Sequence, residues 1–168
     1  MGQPLQFDEI PLQNQLVVEP FEKWALDFVG PIKHQSRQKS YILVCTDYVI
    51  KWVEVKELPW ETEQAVLDFL YVDIFTRFGV PRDIVTNGGS QFTYKIIKSL
   101  TTQYHIKHIV TSPYHPQANE KLEGTNRILE SMLTKTIQIH QWNWHNRLPE
   151  ALWAYIISWI STTGLTPY

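Results

Sequence analysis

The sequence predicts a single α/β domain carrying a five-stranded sheet. Three observations lead there. The chain has 168 residues, 43% of them hydrophobic and 19% charged, enough for one sizeable core. Its patterns run as three strand-like segments, a helix, a strand, a helix, a strand and then helices, which is an α/β order. Glycine, proline and short polar stretches punctuate the boundaries.

Residues 1–20 lack periodicity and read as a linker or arm, kept extended by Pro4, Pro11 and Pro20. The domain proper is expected over 21–168. Lys23 to Val29 is the first strand, stopped by Gly30-Pro31. A polar turn follows over His34–Ser40. Tyr41 to Thr46 is an almost unbroken apolar run, the mark of a strand buried on both faces. Lys51 to Leu58 mixes apolar and charged residues and continues a meander.

Thr62 is a natural N-cap for a helix whose Ala65, Val66, Phe69, Leu70, Ile74 and Phe78 fall at helical spacing. Gly79-Val80-Pro81 ends it. Asp83 to Thr86 is a short strand. A helix capped by Ser90 is expected through about Tyr104, and a fifth strand over Ile106–Val110. A two-proline loop spans Thr111–Ala118. A long helix is expected from about Asn119 to His140, and a last one after Pro149.

The net charge of −2 argues against a chain dedicated to nucleic acid by bulk charge, although a local basic face remains open. No apolar run is long enough for a transmembrane helix, and no signal-peptide core is present. Cys45 stands alone, so no internal disulfide forms, which fits a reducing, intracellular setting. His105 and His108 straddle a strand start, which makes a poor metal pair. Trp142 and Trp144 read as packing residues.

Three short motifs carry chemistry. Trp24-Ala25-Leu26-Asp27-Phe28-Val29-Gly30-Pro31 leaves an aspartate inside the first strand. Ile84-Val85-Thr86-Asn87-Gly88-Gly89-Ser90-Gln91-Phe92 leaves an asparagine at the end of the fourth. Pro113-Tyr114-His115-Pro116-Gln117-Ala118-Asn119 precedes Glu123 on the long helix. Positions 88 to 122, 35 residues, separate Asn87 from Glu123. Each signal alone is weak, because strand-end aspartates, Asn-Gly turns and helix glutamates are common.

Together they resemble the catalytic core of retroviral-type integrases, most closely the gypsy-type long-terminal-repeat retrotransposon integrases, over about residues 20–168. The resemblance implies a ribonuclease H-like fold, a mixed five-stranded sheet flanked by helices. It implies 3′-end processing and strand transfer of element DNA into target DNA, with Mg²⁺ or Mn²⁺ in a two-metal site, a nuclear site of action and a homodimer. Carried over by motif, the catalytic positions are Asp27, Asn87 and Glu123, with Asp27 and Glu123 as metal ligands. Tyr114, His115, Gln117 and Asn119 match the family's active-site loop, which approaches DNA. Lys121 and Arg127 on the helix either touch phosphate or belong to a solvated face. A single cysteine leaves no His-His-Cys-Cys zinc module in these 168 residues.

Four departures stand out against the family pattern. Asn87 replaces a metal-binding aspartate, Glu120 a hinge glycine, and Ile156 and Ile160 two arginines. An amide oxygen can coordinate a hard cation but brings no charge, so strand transfer is expected to be weak or absent. The alternative is a catalytically dead relic, or a core co-opted for nucleic-acid binding, protein binding or dimerisation. Asp83, four residues before Asn87, is about 13 Å away along a strand and cannot substitute. Asp47, at the end of the second strand, either substitutes or bonds nearby backbone. Asn87-Gly88 is also a deamidation-prone pair, which would return a small fraction of carboxylate. The last helix is apolar nearly all round, so it is either buried in the core or paired with another subunit.

Overall fold

The computed structural model describes residues 18–89, 92, 94–111, 120–158 and 163–168, with the backbone alone at 94, 96 and 120–126. Five strands form one sheet: β1 (Lys23–Val29), β2 (Tyr41–Asp47), β3 (Val53–Leu58), β4 (Asp83–Asn87) and β5 (Lys107–Thr111). Their order is β3-β2-β1-β4-β5. The β1–β2 and β2–β3 pairs are antiparallel, whereas β1–β4 and β4–β5 are parallel. The expected mixed five-stranded sheet is therefore present, and every strand lies within two residues of its expected bounds.

Helix α1 (Glu63–Phe69) starts at Thr62, whose hydroxyl accepts from the Ala65 amide. It continues through a π-helical stretch, Leu70–Phe75, into α2 (Thr76–Phe78). The predicted single helix is thus one rod with a wide turn in its middle. Helices α3 (Tyr94–Tyr104), α4 (Glu120–Ile139) and α5 (Trp144–Ile156) follow. The long helix matches its expectation within one residue at each end. The last helix does not: it begins at Trp144 and contains Pro149. Trp144 and Leu148 are both buried and lie four residues apart, so one helical turn before the proline is driven by packing.

Alternation along the strands divides the core in two. On one face Trp24, Leu26, Leu43, Cys45 and Ile84 pack against α1, the π-helical stretch and α3. On the other, Ile42, Val44 and Val53 pack against Leu129 and Leu133 of α4 and Trp144, Leu148 and Tyr155 of α5. Strand β2 is buried from Ile42 to Asp47, as its apolar run requires.

Polar contacts lock the ends of this sandwich. The Trp144 indole N–H donates to the His34 carbonyl at 2.9 Å, and the buried Tyr155 hydroxyl donates to the Lys51 carbonyl at 3.0 Å. Asp47 accepts from the Phe21, Val49 and Ile50 amides at 2.7, 2.9 and 2.7 Å. Its carboxylate is thus consumed in closing the β2–β3 turn, the backbone-bonding role. Burial pushes its pKa up despite these bonds. Trp142 departs from the packing role: it is 74% exposed, with its ring edge-on to His34. Trp153 on the last helix and Ile157 just after it also stay exposed.

The Tyr155 bond gives a direct stability test. Tyr155→Phe should lower the unfolding free energy by about 1–2 kcal/mol, because the buried Lys51 carbonyl loses its donor. Urea denaturation should show a lower midpoint with an unchanged slope.

Candidate functional site

The two strands that carry the first two motifs are neighbours. Parallel pairing of β1 with β4 runs from Lys23↔Asp83 to Leu26↔Thr86. Asp27 and Asn87 are the next residue on each strand. Trp24, Leu26 and Ile84 point to the α1–α3 side, so by alternation Asp27, Val85 and Asn87 point to the α4 side. The sheet thereby brings two residues 60 positions apart to one spot.

They touch there. The Asn87 Nδ2 donates to Asp27 Oδ1 at 2.9 Å, and the Phe28 amide donates to the same oxygen at 2.8 Å. The Gly89 amide donates to Asn87 Oδ1 at 3.2 Å. Burial raises the Asp27 carboxyl above its ordinary pKa, opposed by these two hydrogen bonds. Asn87 itself is exposed at the strand end.

Behind Asn87 the backbone is held by neighbours. The Thr111 hydroxyl donates to the Thr86 carbonyl at 3.3 Å, and the Thr86 hydroxyl pairs with His108 Nε2 at 2.8 Å. Burial lowers the His108 pKa, which favours the neutral ring in this contact. His108 is therefore a packing and hydrogen-bonding residue, while His105 sits exposed at the turn after α3.

A cavity of about 220 Å³ opens between the sheet and α4. Val29, Val44, Val85, Leu129 and Leu133 make its apolar wall, and Asp27, Asn87 and Glu130 are among its polar lining. Glu130 is a site residue that motif reading passed over. It lies seven residues beyond Glu123, two helical turns, and that spacing was legible as a shared helix face. Burial raises its pKa, the Asp27 charge adds to the rise, and Arg127 opposes it.

Glu123 and Lys121 are both in α4, as expected, with side chains outside the described residues. Tyr114, His115, Gln117 and Asn119 also lie outside them. Among the described residues, no three His, Cys, Asp or Glu side chains group so as to hold a metal ion. Two adjacent divalent ions need several anionic oxygens. The described donors here are the Asp27 carboxylate, with one oxygen already engaged by two N–H groups, the Glu130 carboxylate and an amide turned nitrogen-first. These described donors alone do not make a two-metal centre; the Glu123 carboxylate lies outside them. Among the described residues no helix is long and apolar enough to cross a membrane.

Comparison with known proteins agrees with the motifs. The chain is 32% identical over 133 residues to the Gag-Pol polyprotein of avian reticuloendotheliosis virus, covering 79% of this chain and 12% of that one. It is 27% identical over 159 residues to the human Gypsy retrotransposon integrase-like protein 1, covering 94% of this chain and 30% of that one. The chain thus spans less than a third of either relative. Among solved structures, it resembles the simian T-cell lymphotropic virus intasome bound to the PP2A regulatory subunit B56 gamma (TM-score 0.71, 21% identity, 90% of this chain and 54% of that chain). It also resembles the magnesium complex of the HTLV-2 integrase catalytic core (TM-score 0.63, 22% identity, 88% and 94%). These likenesses place the sheet and its flanking helices in the ribonuclease H-like fold. The Integrase core domain family matches residues 18–116, more than half of the sequence. With Asp27 and Asn87 meeting at the ends of adjacent parallel strands, beside the helix that carries Glu123, the chain belongs to the integrase core domain family.

Proposed function

We propose that this chain is a retroelement integrase core that engages DNA ends and target DNA, with strand transfer weak or lost. The observation that carries the reading is the meeting of Asp27 and Asn87 on the α4 face of the sheet. The family reaction is attack on phosphorus by water or a DNA 3′-hydroxyl, supported by Mg²⁺ or Mn²⁺. Asp27 and Glu123 are the acidic positions that remain for it. Asn87 contributes a neutral amide in place of an anion.

In this reading residues 21–168 are the working core and 1–20 an arm. Tyr114, His115, Gln117 and Asn119 contact the DNA end, and Lys121 contacts phosphate from α4. Trp153 on α5 and Ile157 just after it are exposed, which favours a homodimer over a fully buried last helix. The site of action is the nucleus, where target DNA is found.

Two outcomes test this. Mn²⁺-dependent strand transfer should be at or near background for the unaltered chain and should rise roughly 100-fold or more in Asn87→Asp, the scale lost when metal-site support is removed. Equal activity of the two proteins would contradict the reading, provided peptide mapping finds no deamidated Asn87. Lys121→Ala should weaken DNA binding and reduce the slope of log affinity against log salt by about one. An unchanged salt slope would remove Lys121 from the interface.

A further inference from the structure

The Asn87 amide has only one sensible orientation. Reversing it would set Asn87 Oδ1 against Asp27 Oδ1 and Nδ2 against the Gly89 N–H, two repulsive contacts in place of two hydrogen bonds. Both ends of the amide are therefore committed. The backbone ladder between β1 and β4 stops at Leu26↔Thr86, and the side-chain bond at 2.9 Å spans the next pair of residues. It continues the pairing by one step where the main chain no longer does.

A carboxylate at position 87 would face Asp27 as a like charge, a repulsion relieved by a shared proton or, with both ionised, by a cation between them. The amide N–H instead supplies the positive end of a dipole to Asp27. From this we infer that Asn87 stands in for the cation: it closes β1 onto β4 by a hydrogen bond, so these two strands hold together at the site without divalent metal. This goes beyond the DNA reading and does not depend on it.

Thermal unfolding of the full chain in EDTA and in MgCl₂ tests the inference, with no DNA present. The unaltered chain should have the same Tm in both. Asn87→Asp should melt roughly 3 °C lower in EDTA, a scale set by one lost hydrogen bond in a chain of this size, and should recover in MgCl₂. Asn87→Ala removes the bond without adding a charge, so its Tm should fall in EDTA and stay low in MgCl₂. A Tm of the unaltered chain that climbs with MgCl₂ as far as that of Asn87→Asp would overturn the inference. So would an Asn87→Ala chain that melts with the unaltered one in EDTA. If Asn87→Asp does not fold even with MgCl₂, Asn87→Ala decides alone: a lowered Tm that MgCl₂ does not restore supports the hydrogen-bonded closure, and an unchanged or restored Tm rejects it. Loss of strand transfer or DNA binding would leave these Tm values untouched, so the two readings fail separately.

Discussion

The parallel pairing of β1 with β4 is the constraint on which the rest depends. It joins two segments separated by a meander and a long helical rod, and its register decides which residues meet. Because side chains alternate, a slip of one residue would turn Asp27 toward the α1–α3 core and bring Trp24 and Leu26 out of it. Trp24 and Leu26 are almost fully buried, so the apolar core enforces the register that the polar site uses. Packing on one face of the sheet thereby positions chemistry on the other.

Charge then determines what that position can do. Asp27 is half-buried, carries two hydrogen bonds on one oxygen, and has its pKa raised by burial. Glu130 lines the same cavity, and the Asp27 charge makes its ionisation harder. A neutral amide at Asn87 relieves that repulsion, whereas an additional carboxylate would deepen it unless a cation came with it.

Much of the fold was legible in the sequence because its signals were local. The unbroken apolar run over Tyr41–Thr46, the Thr62 cap and the Gly-Pro stops each encode an element boundary in a few residues. Pro149 misled because proline is both a start signal and a breaker. The five residues before it join the helix through the burial of Trp144 and Leu148, a tertiary effect. The π-helical turn at Leu70–Phe75 leaves the apolar spacing almost unchanged, so periodicity does not reveal it. At the site, motif spacing pointed to Asp27, Asn87 and Glu123, and the structure brings Asp27 and Asn87 together, but the direction of the Asn87 amide depends on the Gly89 N–H and on the β1–β4 register. Neither is a property of the motif.

The departures from the family pattern are not all of one kind. Ile156, where the motif resemblance leads one to expect an arginine, is 8% exposed and packs with Leu148 and Tyr155. A guanidinium in that environment would need a partner or a route to water, so the apolar residue suits the core around it. Asn87 is likewise satisfied, with donor and acceptor both engaged. Unconstrained decay should scatter clashes and orphaned polar groups through a site. At both positions the residue present fits its surroundings, as folding requires whatever chemistry the site performs.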